Sequence, residues 1–239
     1  MKYAIKKDVV CVISRYNEDL KWTEESIQVK NTCVIYNKGD DIKMDNVESI
    51  RLMNKGKEGD TYLKHIISNY DNLSLYTIFL QGNLYDNHTK NWHVPLVDIE
   101  WIIENIDQIK ENKIRYIGLN KSRGDSGWGR ICNFFDKFEI YKKRQLKDNL
   151  EITKNTFPHL FLEKHTDILC NYCGMFCVSK EAIHLHPKKF YEDINDILLK
   201  NPDYGHCLER LWKHIFDPDC KDIINVEYLK KLIMSDSII

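Results

Sequence analysis

The chain has 239 residues, enough for a substantial core and about one to one and a half average domains by length. Its 35 lysines and arginines against 36 aspartates and glutamates give a formal net charge of -1, without the basic excess that broad nucleic-acid binding requires. Charged residues at 30% and hydrophobic ones at 43% exclude a disordered tail, and no apolar run approaches the roughly 18–20 residues of a membrane span.

The opening MKYAIKKDVVCVIS has only a short apolar stretch, which reads as a first strand over Val9–Ser14 and not as a signal peptide. A cytoplasmic protein is expected. The eight cysteines are spread through a chain too large to need covalent staples, so reduced thiols are expected. Cys11, Cys33 and Cys177 sit inside apolar runs, where a thiol behaves as a small hydrophobe. Two further strands are predicted at Thr32–Tyr36 and Tyr76–Leu80, each β-branched or aromatic and each followed by polar residues. Between them, Thr61–Leu73 places apolar side chains at 62, 63, 66, 67, 70 and 73, the spacing of a helix. Strand, helix, strand is the pattern of a sheet with parallel neighbours.

A second helix is predicted over Leu96–Ile109, from apolar positions 99, 102, 103, 106 and 109, and a strand over Arg115–Leu119. The glycine-rich loop Asn120–Arg130 lacks the spacing of a phosphate-binding P-loop, so the pattern assigns it no nucleotide role. The polar stretch Lys142–Lys154 is the candidate for a mobile insertion. Asn171–Ser179 reads as a late strand entering a short helix at Ser179, with further helices at Lys188–Lys200 and Tyr204–Phe216. With no internal repeat or low-complexity segment, one α/β domain over residues 1–239 is the simplest account.

In open α/β sheets, ligands bind beyond the carboxyl ends of the strands. Three polar clusters stand at such ends: Arg15–Asp19, Asn37–Asp41 and Gln81-Gly82-Asn83. A single polar loop means little, but three of them argue for one shared pocket. Asn54, Gly56 and Glu58 approach a helix whose first residues are Thr61, Tyr62 and His65, and a helix N-terminus attracts anions. Glu58 has two readings there, a helix cap or a partner for a ribose or sugar hydroxyl. His65, alone on a half-apolar helix, reads as a packed residue with one hydrogen bond.

The segment VVCVISRYNEDLKWTEES resembles the start of GT-A-type glycosyltransferases, which begin with an apolar strand, a Tyr-Asn-Glu-like turn and a helix. More closely, SRYNEDLKW, VIYNKG, NKGKEGDTYLKHIISNYDNL, TIFLQGN and GHCLERLWKHIF resemble a family of unknown function found in fungi, bacteria and large viruses. The GT-A resemblance implies a single Rossmann-like α/β domain, with a mixed, mainly parallel sheet flanked by helices. It also implies transfer from a nucleotide-sugar donor to a glycan or other hydroxyl acceptor. The nucleotide-sugar would then meet Arg15, Asn17, Glu18, Asp19, Lys38, Asn54, Glu58, Tyr62, Gln81 and Asn83. Glu209 would be the base and Arg210 would stabilise developing charge, with Trp212 placed to stack on a sugar. On residues alone, Glu209 is equally an exposed i,i+4 partner of Lys213, over a buried stripe of Leu208, Leu211, Trp212 and Ile215. Asp203 is the alternative base, or a helix cap.

The cofactor implied by many GT-A enzymes is a divalent cation, manganese or magnesium, held by an Asp-x-Asp pair after the third or fourth strand. Here that place reads Gln81-Gly82-Asn83, with Asp86 and His88 beyond it; Asp217-Pro218-Asp219 follows a helix and reads as a turn. No metal ligand is therefore assigned. A metal-independent enzyme would neutralise the leaving diphosphate with cations such as Arg15, Lys38, Arg51 and Arg210. The thiols Cys170, Cys173 and Cys177, with His165 and His184 nearby, do not make the four-ligand spacing of a zinc site. Two other readings stand beside the transferase: a non-catalytic nucleotide- or carbohydrate-binding module, and a hydrolase using acids among Glu18, Asp19, Glu58 and Glu209.

Overall fold

Val9–Arg15 forms strand β1, and all seven of its residues are buried. That continuous burial is the mark of a strand covered on both faces. In the computed structural model, which describes residues 8–45, 47–86, 91, 92, 94–119, 131–133, 146–157, 167–169, 174–219 and 224–236, β1 lies inside a six-stranded sheet. The other strands are β2 (Cys33–Asn37), β3 (Glu48–Arg51), β4 (Tyr76–Gln81), β5 (Tyr116–Gly118) and β6 (Phe176–Ser179). Their order across the sheet is β3-β2-β1-β4-β6-β5. β1 runs parallel to β2, with Cys11 opposite Cys33, and to β4, with Val9 opposite Tyr76. β3 is parallel to β2, whereas β6 is antiparallel to both β4 and β5. The sheet is mixed and mainly parallel, as the sequence led one to expect.

The helices are α1 (Ile27–Lys30), α2 (Lys57–Asn69), α3 (Leu96–Glu104), α4 (Ile106–Glu111), α5 (Leu146–Thr156), α6 (Lys180–Ile183), α7 (Lys188–Lys200), α8 (Gly205–Phe216) and α9 (Val226–Asp236). Two cores follow from the alternation of side chains along each strand. Val10 and Val12 of β1 face one core, where Tyr62, Leu63 and Ile66 of α2 meet Tyr191 and Leu198 of α7 and Leu211 and Trp212 of α8. Val9, Cys11 and Ile13 face the other, with Val29 of α1, Ile99 and Ile102 of α3, Ile106 and Ile109 of α4 and Leu229 of α9. Each such fully buried side chain stabilises the fold by about 1.5–3 kcal/mol in transfer free energy. Cys11, Cys33, Cys177 and Cys207 are free and buried. Burial pushes the thiols of Cys11 and Cys207 up to about 12 and that of Cys33 up to about 11. These sulfurs pack as hydrophobes.

The predicted helix over residues 96–109 is two helices. Asn105 stands between them with its side chain donating to Trp101 O at 2.7 Å, a local bond that competes with continuing the helix. All five predicted apolar positions are nonetheless buried. Of the polar stretch Lys142–Lys154, residues 142–145 lie outside the described ones. The remainder belongs to α5, whose Thr153 is fully buried and followed by buried Phe157. The late strand is shorter than predicted, starting at Phe176, with 171–173 outside the described residues. The glycine-rich loop 120–130 also lies outside them, as do His88, His165, Cys170 and Cys173. His184 and His186 each bond a backbone carbonyl, of Tyr70 and Ile215 respectively, which is a structural use of both rings.

Candidate functional site

The chain leaves β1 for β2 and β3 on one side, then returns to β4 on the other side of β1. The loops leaving β1 and β4 therefore diverge, and the crevice between them is where open α/β sheets bind ligands. A cleft of about 320 Å³ lies there. Ser14, Arg15, Tyr16 and Glu18 line it from β1, Lys38 from β2, Gln81 and Asn83 from β4, and Asn54, Lys57 and Glu58 from the approach to α2.

Tight packing holds the three strand-end loops together. A Cβ on Gly39 would lie 1.4 Å from Tyr16 O and 2.1 Å from Asn17 Oδ1, so only glycine admits this approach. Asn17 Oδ1 accepts from Asp40 N–H at 2.7 Å. Arg15 donates from Nε to Glu18 O (3.0 Å) and from Nη1 to Asn37 Oδ1 (2.7 Å) and Asp40 O (2.8 Å). Its Nη2 donates to none of the described residues and stays available on a cleft-lining side chain. On the β4 side, Trp22 Nε1–H donates to Gly82 O at 2.9 Å, and a Cβ on Gly82 would lie 2.7 Å from Glu18 Oε2. The Glu18 carboxylate itself accepts from Tyr16 N–H at 2.6 Å.

Lys38 has a different task from the one expected. Its ammonium donates to Lys55 O (2.9 Å), to Lys57 O and to Asp60 Oδ2 (3.0 Å), which uses all three N–H groups. Both members of the Lys38–Asp60 pair are buried, at 2% and 0% side-chain exposure, and Lys64 lies 3.1 Å from the other Asp60 oxygen. Burial lowers the Lys38 pKa, and Asp60 counters it. Lys38 thus clamps the turn before α2, in which Gly56 and Lys57 take left-handed φ of 62° and 50°. Arg51 is likewise engaged, with Gly39 O and with Asp41 at 3.2 Å, and stands outside the cleft lining. The Lys38 ammonium is thus not free for a phosphate, which corrects that expectation, and Arg51 does not line this cleft.

The first turn of α2 faces α8. Lys57 Nζ lies 3.2 Å from His206 Nε2, and a Cβ on Gly59 would sit 3.6 Å from Leu208 Cδ1. Glu58, half-buried, is raised in pKa by burial, with the charge of Glu209 adding to the effect. Arg210 lies 3.8 Å from Glu209, and neither residue lines the cleft. Tyr62, one turn after Glu58, is fully buried and outside the cleft lining, so it contributes no surface to a ligand. Burial, then Glu58 and Glu209, raise its pKa well above the usual value. Asn17 and Asp19 are exposed but outside the lining; a hydrogen bond from Lys21 N–H holds Asp19 below its usual value. Asp203 is exposed in the 3-10 turn before α8. His65 is a packed histidine: its Nδ1 lies 3.1 Å from Tyr36 Oη, and burial lowers its pKa to about 4.

A family model described as protein of unknown function (DUF3431) matches residues 10–227. The chain belongs to this family. A search of the curated proteins gives no match. The matched span of this DUF3431 member runs from β1 into the start of α9, so every cleft-lining residue lies within it.

Of the ten expected ligand contacts, Arg15, Glu18, Lys38, Asn54, Glu58, Gln81 and Asn83 line the cleft. Sequence reasoning passed over Ser14 and Lys57, and placed Tyr16 in the Arg15–Asp19 cluster without giving it a ligand contact. Tyr16, 50% exposed beside an otherwise polar cleft, carried a signal in its position directly after a buried strand. At the end of β4 the oxygen-bearing side chains are Gln81, Asn83, whose Oδ1 accepts from Tyr85 N–H at 2.9 Å, and Glu18, whose carboxylate accepts from Tyr16 N–H. A hard divalent cation takes several carboxylate or carbonyl oxygens. This donor set does not fit one, and among the described residues no three His, Cys, Asp or Glu side chains converge as metal ligands.

Proposed function

We propose that the chain transfers a sugar from a nucleotide-sugar donor to a hydroxyl acceptor, without a metal at the end of β4. The observation that carries this reading is the cleft at the switch point, with the Arg15 guanidinium, the exposed Tyr16 ring and the Glu58 carboxyl of α2 around one space, and α8, which carries Glu209, packed beside the first turn of α2. Arg15 Nη2 meets a phosphate oxygen, a task suited to a planar charged donor. Lys57 adds a second cation at the cleft wall. The acceptor oxygen attacks the anomeric carbon, the carbon–oxygen bond to the diphosphate breaks with its electron pair leaving on phosphate oxygen, and the acceptor proton passes to Glu209. Arg210, next to Glu209, balances its charge.

A thermal-shift panel of nucleoside diphosphates and nucleotide-sugars, with and without manganese, tests the reading. A donor at about 100 times its Kd adds about 2.7 kcal/mol, which is a Tm rise of about 5–10 °C for a chain of this size. The rise is expected without manganese. If no member of the panel moves Tm, the reading fails. Glu209→Gln is expected to keep the shift and to lower sugar transfer at least about 100-fold.

The second reading is a non-catalytic module that binds the same ligands. The occupied ammonium of Lys38 and the missing carboxylate after β4 favour it. A thermal shift with no turnover, unchanged in Glu209→Gln, distinguishes it.

A further inference from the structure

Two helices, α2 of 13 residues and α8 of 12, bring their first turns together at one wall of the cleft. Neither start is capped by the side chain of its N-cap residue, Gly56 or Tyr204. A helix start carries partial positive charge and favours an anion. The side chains that meet there favour the same kind of ligand. Lys57, which lines the cleft, places its Nζ 3.2 Å from His206 Nε2. An ammonium can only donate, so Nε2 accepts with its lone pair and the ring hydrogen sits on Nδ1. Arg15 is a separate observation on the same cleft. It is 9% exposed, and its Nη2 donates to none of the described residues. A buried donor without an acceptor is costly, and on a cleft-lining side chain a ligand oxygen can remove that cost.

We infer that the cleft takes a diphosphate, one phosphate on Arg15 and the other between Lys57 and His206, and that His206 gains a proton as the second phosphate is seated. This deepens the transfer reading and rests on it for the rest of the ligand. An oxyanion arriving at Lys57 draws the ammonium's hydrogen bond away from Nε2. The freed nitrogen takes a proton from solvent and donates a charge-assisted hydrogen bond to the same oxyanion. Until then the neutral ring orients the ammonium without adding a like charge beside it. The charged groups around the imidazole, besides Lys57, are Glu58 from α2, Glu209 and Arg210 further along α8, and Asp203 in the turn before it. The Glu58 carboxylate interacts electrostatically with both Lys57 and His206. Lys38 stays behind the turn, bonded to Lys57 O and Asp60. With one proton linked to binding, the hold on a diphosphate weakens by up to about tenfold per pH unit as pH rises and the ring loses that proton.

Nitrogen-15 NMR of the histidine rings at about pH 7.5, with inorganic pyrophosphate as the probe, tests the proposed seat. The His206 signals are those lost in His206→Gln; if that variant does not fold, their displacement in Lys57→Met identifies them. In the free protein Nε2 is expected to be the nitrogen without a hydrogen, and in the pyrophosphate complex both ring nitrogens carry one. Lys57→Met is expected to weaken pyrophosphate binding at least about tenfold in titration calorimetry. From about pH 6.5 to about pH 8.5, Kd should rise less steeply in His206→Gln than in the wild type, since the ionisation of pyrophosphate itself is common to both. A hydrogen on Nε2 in the free protein, a ring that stays neutral in the complex, or no binding of pyrophosphate overturns the inference. Pyrophosphate seated on a protonated His206, in a protein that no nucleotide-sugar stabilises, would leave the seat standing and sink the transfer reading. A thermal shift by a nucleotide-sugar with His206 still neutral would do the reverse.

Discussion

At the scale of single residues, charge alone did not reveal which cations are free. Lys38 stands at a strand end, where a phosphate-binding lysine is plausible from sequence. Its partners Asp60, Lys55 and Lys57 are 17 or more positions away, beyond any local pattern. Removing one member of a buried ion pair leaves the other charge uncompensated. Lys38→Met is therefore expected to lower stability by about 3–5 kcal/mol in urea unfolding, whereas Arg51→Ala, on an exposed side chain, stays within about 0.5 kcal/mol. His65 gives a pH signature. Its pKa is depressed to about 4 in the folded state, against about 6.5 unfolded, so the unfolded chain binds the extra proton between those values. The stability due to His65 is full above about pH 6.5 and is lost as pH falls toward about 4, by at most about 1.4 kcal/mol per pH unit. The difference in urea stability between wild type and His65→Gln, followed from about pH 7 to about pH 4.5, should shrink accordingly; a pH-independent difference would contradict the buried neutral ring.

Elements were readable wherever burial wrote a period into the chain. β1, β2 and β4 carry unbroken apolar runs, and α7 begins and ends as predicted at Lys188 and Lys200. The start of α2 was not readable, because Lys57, Glu58 and Asp60 are polar residues whose roles are set by α8 and β2. β3 was missed for a similar reason. Glu48–Arg51 is an edge strand, largely exposed, and shows no apolar alternation. The site inherits both difficulties, since the wall formed by Lys57 and Glu58 depends on a turn that only tertiary contacts specify. Gly56 is its pivot: φ is +62°, and a Cβ there would lie 2.8 Å from Asp60 Cβ. Gly56→Ala is expected to cost about 1–3 kcal/mol from the left-handed backbone. Because the shift reaches Asp60 and so the Lys38 clamp, ligand-induced stabilisation in the thermal-shift panel should fall with it. A variant with unchanged Tm would show that the turn relaxes freely.

Among the described residues a six-stranded sheet lies between two cores, and the cleft sits where its strand order reverses. The order β3-β2-β1-β4 could be anticipated only in part, as a set of parallel neighbours, because sequence does not say on which side of β1 the chain returns. That single topological choice makes the cleft, by separating the β1 and β4 loops. The antiparallel β6 and the following helices then carry Glu209 back toward α2. β1 feeds both cores, with Val10 and Val12 on one face and Val9, Cys11 and Ile13 on the other. Damage to the core opposite α2 and α8 should therefore be felt globally and not as local loosening. Leu229 of α9 tests this, since it is fully buried in that core and lies on the opposite side of the sheet from α8. Leu229→Ala is expected to lower stability by about 2–5 kcal/mol, the usual cost of a buried leucine cavity. Tryptophan fluorescence and far-UV circular dichroism should follow one coincident urea transition, moved to lower urea with an unchanged slope. Trp22 reports the core that holds Leu229 and Trp212 reports the other, so their joint movement is informative. Two separate transitions, one confined to the α9 side, would mean that the sheet does not couple the two cores.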